Sequence, residues 1–355
     1  MADGGVSSYA YIDARVRAMY STLLTPQFFD ELYRAPDFFT LISQLEHTVY
    51  GPYLLRVDNK ELTPRRAVYQ MKSQMSEAYS LVIHNSPEYI HPLLAQFYRS
   101  FEVDNLKAVL RGIVSGSSWD RIRYVLFPMV SMKVFPAEAM LQEGNVPNAI
   151  AKLRGTPYFA TLSHALERYT AEQSLFPLEV ALDLNYWREL WNDINQLSKL
   201  DREHALRIVG SLLDINNLMW AIRYRVYHHL SEEELINYTL PFGYRVRDAD
   251  IRAIAAGADI LEIIARIYPS LSLEDSLLME PRDWLPELET KLQRHVVRQC
   301  RREFVGYPFH IGIPLAYLAL KKMEIQDLTV LAEAKASQVP VDRFRPLLLI
   351  GTAAS

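Results

Sequence analysis

The sequence predicts an all-α protein made of three similar helical units. Three observations predict it. Apolar residues step by three and four along nearly every segment, and no run of strict period-two alternation with turn signals occurs. The chain holds 19 prolines, and several directly follow a Ser or Thr where an apolar stripe begins. One pattern returns three times. Ile42-Ser43-Gln44-Leu45 runs on to Tyr50, Ile150-Ala151-Lys152-Leu153 to Tyr158, and Ile260-Leu261-Glu262-Ile263 to Tyr268. Repetition on this scale points to a shaped body rather than a catalyst.

In chain order, Tyr9, Ile12, Val16, Met19 and Leu23 form the face of an opening helix. Thr25-Pro26, Ala35-Pro36, Thr63-Pro64 and Ser86-Pro87 are read as helix starts, with proline where its missing N–H costs nothing. From Thr63 the stripe is Val68, Met71, Met75 and Val82; from Ser86 it is Ile90, Leu93, Leu94 and Phe97; from Asp104 it is Leu106, Val109, Leu110 and Ile113. The middle third carries Leu182, Tyr186, Trp187, Leu190, Trp191 and Ile194. Asp201 is expected to cap a helix bearing Leu206, Val209 and Leu213. In the last third Leu285, Leu288, Leu292, Val296 and Cys300 share one face. Residues 1–35 are assigned to N-terminal helices, 36–130, 136–243 and 244–340 to the three units, and 341–355 to a tail.

Composition narrows the function classes. A net charge of −4 over 355 residues lacks the basic footprint of a nucleic-acid binder. The single cysteine, Cys300, excludes an intramolecular disulfide and fits a reducing compartment. The N-terminal residues show no basic-then-apolar signal, and no stretch reaches the ~20 apolar residues of a membrane span, so a soluble chain is expected, still able to sit on a membrane complex.

The familiar catalytic motifs are missing. Neither a Gly-x-x-x-x-Gly-Lys cradle nor Gly-x-Gly-x-x-Gly occurs, and no His-Glu-x-x-His. Gly112-Ile113-Val114-Ser115-Gly116 places its serine wrongly for a nucleophile elbow and is read as a helix end. His84 and His91 are read as partly exposed loop histidines rather than metal ligands. Adjacent His228 and His229 would diverge by about 100° on a helix. Cys300 is read as a small buried hydrophobe. One basic cluster, Lys291, Arg294, Arg298, Arg301 and Arg302, follows helical spacing: a solvated face, or a patch for an acidic partner or anionic head groups.

A second pattern follows the first. Phe101 to Leu106 matches Leu213 to Leu218, and more loosely Phe309 to Pro314. Asp104-Asn105-Leu106 leads to Arg111 as Asn216-Asn217-Leu218 leads to Arg223. The Asn and Asp residues are read as helix N-caps and each Arg as a clamp on a neighbouring helix's carbonyl ends or on an acid. The third unit loses the Asn and the Arg in this alignment.

Together these residues resemble the family of C and d subunits found in rotary archaeal- and vacuolar-type ATPases. Tyr9 to Arg17 with Leu23-Leu24-Thr25 is similar to the family's opening helix. Leu41 to Gly51 resembles its "L…L..T.YG" element, Asp104-Asn105-Leu106 and Asp214 to Leu218 its "D..NL" helices, and Ile313 to Leu328 its C-terminal "AYL..KE.EI..L" element, with Lys322 where the family often has an acid. The resemblance spans Tyr9 to about Pro340. It implies a funnel of three units around a pseudo-three-fold axis, seated on the proteolipid ring at the cytoplasmic face of a membrane and receiving the central shaft of subunits D and F. It implies one copy per complex, no nucleotide, cofactor or metal, and no chemistry of its own. Tyr50, Tyr158 and Tyr268, with the Asn-led segments, are expected at unit-to-unit packing and rim contacts. The competing readings are a helical-repeat scaffold of another complex and an all-helical enzyme using His84, His91 or Cys300.

Overall fold

A computed structural model describes residues 6–58, 60–130, 135–228, 230–271 and 281–350, with nothing described for the side chains of residues 6, 228 and 281–283; His229 therefore lies outside the described residues. The described chain is helical nearly throughout, and no strand occurs among the described residues. Thr25 and Thr63 act as read from the sequence. Their hydroxyls accept the backbone N–H of Phe28 and Arg66, and a proline opens each helix, Pro26–Arg34 and Pro64–Asn85. Ser86 behaves differently. Its hydroxyl bonds back to the Val82 carbonyl and closes the preceding helix, and the next long helix begins at His91 after a single 3-10 turn. Gly112 to Gly116 forms the expected helix end: the Ser117 N–H returns to the Gly112 carbonyl at 2.9 Å, and Gly116 takes φ +62°, where a side chain would be strained.

The chain forms two compact units, Phe39–Asp193 and a second made from the chain up to Phe38 together with Ile194 onward. In Phe39–Asp193, the helices Pro64–Asn85 and His91–Val114 pack an aromatic core. Phe101 stacks on Phe127 at 4.1 Å between ring centroids, and Tyr79 meets Phe101 edge-on at 5.2 Å. Tyr98 and Ser76 share a buried 2.6 Å hydrogen bond, so the hydroxyl in this ring cluster is satisfied.

In the other unit the centre is the helix Gly312–Ala336, which is apolar around its whole circumference from Ile313 to Leu320 and is buried accordingly. It packs against Val6–Tyr20 and Pro281–Glu303. A second long helix begins at Lys199 and is interrupted by two π-turns, Leu206–Gly210 and Tyr224–His228, either side of Ser211–Arg223. Gly210 lies in the first of them, where a Cβ would come within 2.8 Å of the Tyr244 Cβ; the missing side chain lets that loop close on the helix. Asp201 does not cap its helix. Ser198 takes that place, accepting the Asp201 N–H, while the Asp201 carboxylate, 2 % exposed, receives the Tyr9 hydroxyl at 2.8 Å and the Ile311 N–H at 2.9 Å.

Candidate functional site

Asn105 and Asn217 are not helix caps. Asn105 lies in the middle of His91–Val114 and Asn217 in the middle of Ser211–Arg223. Their side chains face inward and hold a loop that follows. The Asn105 amide donates to the Phe127 carbonyl at 2.9 Å and accepts the Phe127 N–H at 2.6 Å. Asn217 donates to the carbonyls of Leu240 and Phe242 and accepts the Leu240 N–H, each at 3.1 Å. An amide suits this work because it offers a donor and an acceptor side by side, matching a peptide group.

The third copy of this arrangement is at Asp327, not in Phe309 to Pro314. Asp327 receives the N–H groups of Leu349 and Ile350, both at 2.7 Å, from a loop 22 and 23 residues on, the separation seen for Asn105 and Asn217. The sequence signal is an acid, two residues, Asn or Asp, then Leu: Glu102 to Leu106, Asp214 to Leu218, Glu324 to Leu328. The acid is fully buried in all three. Glu102 accepts the Tyr158 hydroxyl at 2.7 Å. Asp214 accepts the N–H groups of Tyr244 and Arg245 at 2.7 Å, and burial raises its carboxyl to about 6 against the pull of those donors. Glu324 accepts the Leu24 N–H at 2.5 Å and pairs with Lys321 at 3.1 Å, where neither side chain reaches solvent.

The remaining residues singled out from the sequence fall around these positions. Asp104 is exposed, 4.0 Å from Lys107. Asn216 leaves its amide nitrogen buried without a partner among the described residues. Arg111 grips Glu179 with two nitrogens at 2.6 and 2.7 Å, and Arg223 reaches Glu289 at 2.7 Å. Tyr50, Tyr158 and Tyr268 are all buried. Thr48 and Thr156 hold the first two alike, each hydroxyl accepting the tyrosine N–H and donating to the carbonyl of Leu45 or Leu153. The Tyr268 hydroxyl has no partner among the described residues; its ring meets His295 edge-on at 5.5 Å.

Two further features lie on the helix Pro281–Glu303. A groove of about 660 Å3 is lined by Arg245, Lys291, Arg294, Arg298, Arg302 and His295, and no carboxylate lines it among the described residues. His84 is exposed and His91 bonds the Ser86 carbonyl, whereas His204, Glu303 and His310, distant in sequence, converge. His204 is hydrogen-bonded to Glu303 through Nδ1, and its ring stacks on His310 at 3.4 Å and 10°. Imidazole lone pairs lie in the ring plane, so two parallel stacked rings do not aim at one ion. His310 Nδ1 already accepts the Gly312 N–H at 3.0 Å, and Arg207 stands 3.6 Å from Glu303. Burial holds His310 down at about 4. As arranged, Nδ1 of each ring is already engaged, and Arg207 is the permanent cation beside the buried Glu303 carboxylate. Cys300 is fully buried, and burial pushes its thiol up and disfavours the reactive thiolate.

Among the described residues no helix is long and apolar enough to cross a membrane. The sequence is similar to the C subunit of the A-type ATP synthase of Methanocaldococcus jannaschii, 24% identical over 97% of this chain and 87% of the relative. It is similar to the same component from Thermococcus onnurineus, 25% identical over 98% and 91%, and from Archaeoglobus fulgidus, 22% identical over 98% and 98%. At such identities the match rests on pattern spread along the whole length, and the model of the ATP synthase (C/AC39) subunit family takes in residues 12–347. That range includes all three buried acid-led helix segments as well as the three tyrosines, and on it the chain belongs to the ATP synthase (C/AC39) subunit family.

Proposed function

We propose that this chain is a non-catalytic rotor subunit of an A/V-type ATPase or ATP synthase, a socket coupling the central shaft to the membrane ring. On this reading its mouth receives subunits D and F. Its opposite face rests on the proteolipid ring, at the cytoplasmic side, with one copy per complex. It carries torque between nucleotide turnover and the movement of protons or sodium. The observation that carries the proposal is the family match over residues 12–347.

The local construction supports it. A torque-bearing part needs helices joined by short, fastened connections, and the acid-led loop pins at Asn105, Asn217 and Asp327 fasten three such connections. Three pins in one chain also support a threefold repeat, proposed as units 36–130, 136–243 and 244–340 in a pseudo-three-fold funnel, with the third pin reaching past 340 to Leu349 and Ile350. Tyr50, Tyr158 and Tyr268, with Asp104, Asn105, Arg111, Asn216, Asn217 and Arg223, are proposed as the residues that build and join these units. Since the tyrosines are buried, their part in the proposal is packing.

Purification from detergent-solubilised membranes tests the reading. The chain should co-purify with a proteolipid ring and the two shaft proteins, and an image of that assembly should show a three-lobed hollow body between them. Recovery only in soluble complexes lacking both would refute it.

A further inference from the structure

The groove on the helix Pro281–Glu303 is built for an anion, and we propose that it binds a compact ligand bearing two or more phosphate groups. Five cationic side chains line it, and no acid does among the described residues. Two of the five have other work. Arg294 donates to the carbonyls of Leu348 and Pro346, and Lys291 pairs with Glu287 at 2.7 Å. Arg245 lies over the Tyr268 ring at 6.0 Å, on the loop whose N–H groups Asp214 holds. Arg298 and Arg302 are exposed and make no ion pair with a described residue. They stand four residues apart on one helix, so like charges face each other one turn apart, an arrangement that costs stability until a counter-charge arrives.

The position of His295 reports the same field from inside. It is 8 % exposed in the groove wall, and burial together with Arg245, Arg298 and Arg302 lowers it to about 4. It therefore stays neutral at physiological pH and offers the groove hydrogen bonding without another charge, with Gln299 3.3 Å from its Nε2. The volume of about 660 Å3 suits a small molecule. Guanidinium forks match phosphate oxygens two at a time, and a set of arginines converging on one concavity favours clustered phosphates over a single carboxylate. The shared chemistry fits a free polyphosphate and a multiply phosphorylated lipid head group.

Titration calorimetry on the full chain at physiological ionic strength tests this, with inorganic pyrophosphate and tripolyphosphate as probes and sulfate at matched ionic strength as control. Saturable binding stronger than sulfate is expected. Arg298→Ala and Arg302→Ala should each weaken it about tenfold. Arg301→Ala, which removes the same charge from the same helix outside the groove, should change it less than about twofold. Flotation with phosphatidylinositol bisphosphate vesicles, against phosphatidylcholine vesicles, separates the sources. Arginine-dependent flotation assigns the lipid head group, and calorimetric binding without flotation assigns the free anion. A thermal melt guards against misfolded variants, and Arg298→Ala should melt no lower than the unmodified chain because it relieves repulsion. Absence of saturable binding by both probes and vesicles, or equal weakening by Arg301→Ala, overturns the proposal.

Discussion

Replacing Asn217 by Ala should destabilise the chain more than any other single asparagine substitution near it. Asn217 is 1 % exposed and makes three hydrogen bonds, to the Leu240 and Phe242 carbonyls and from the Leu240 N–H. Leu240 is itself 1 % exposed, so water does not replace the lost partner of its N–H. An unsatisfied buried donor costs about 1–3 kcal/mol, and two carbonyls that lose a donor cost about 0.5–1 kcal/mol each, giving roughly 3 kcal/mol in all. For a unit of this size each kcal/mol moves Tm by about 2–4 °C, so a fall of about 10 °C is expected in circular dichroism at the helical signal. Asn216 is the internal control. It is adjacent, has the same side chain, and its amide nitrogen is buried without a described partner. Asn216→Ala should change stability by less than about 0.5 kcal/mol. A Tm fall for Asn217→Ala no larger than that for Asn216→Ala would refute the pin.

Three further outcomes follow from the same geometry. Asp214 is raised by burial from 3.8 to about 6, so between those values the folded chain holds a proton the unfolded chain has released. Its contribution is present below pH 4 and lost as pH rises through 6, about 3 kcal/mol in total, and denaturant titrations of Asp214→Asn should lack that downward slope. A slope identical in both proteins would contradict the assignment. Arg111 with Glu179 and Arg223 with Glu289 are partly exposed pairs, so double-mutant cycles should return coupling of about 0.5–1 kcal/mol each, and values near zero would remove the clamp role. Cys300 should resist a thiol reagent in the native state and react fully once the chain is unfolded; fast labelling of folded protein would contradict its place in the core.

The helical class was legible because it rests on local signals: apolar steps of three and four, and threonine-proline starts at Thr25 and Thr63 that need no distant partner. Cys300 was legible for the same reason, since its helix face is written in Leu288, Leu292 and Val296. The roles of Asn105 and Asn217 were not. Asparagine favours helix ends, and only a loop 22 or 23 residues later explains its cost in a helix interior. The third pin was hidden because a carboxylate, Asp327, stands where the other two have an amide, and Phe309 to Pro314 offers a looser match to the same pattern. His204, Glu303 and His310 share no spacing at all; tertiary folding alone brings them together.

The three pins share a frame yet differ in chemistry. Asn105 meets one carbonyl and one N–H, Asn217 two carbonyls and one N–H, and Asp327 two N–H groups. A carboxylate accepts only, so the loop at Leu349 and Ile350 turns only donors toward its helix, where the loops at Phe127 and Leu240 turn both donors and acceptors. The acids before them diverge further: Glu102 holds a tyrosine hydroxyl, Asp214 two backbone N–H groups, and Glu324 a backbone N–H and a buried lysine. Exchanging the pins should therefore fail in both directions. Asp327→Asn sets an NH2 against a backbone N–H, and Asn217→Asp sets carboxylate oxygens against two carbonyls, each costing about 2 kcal/mol or more despite near-equal volume. Two neutral exchanges would mean that the loops adapt to either side chain. Two costly ones mean that repeated helices carry loops matched one by one.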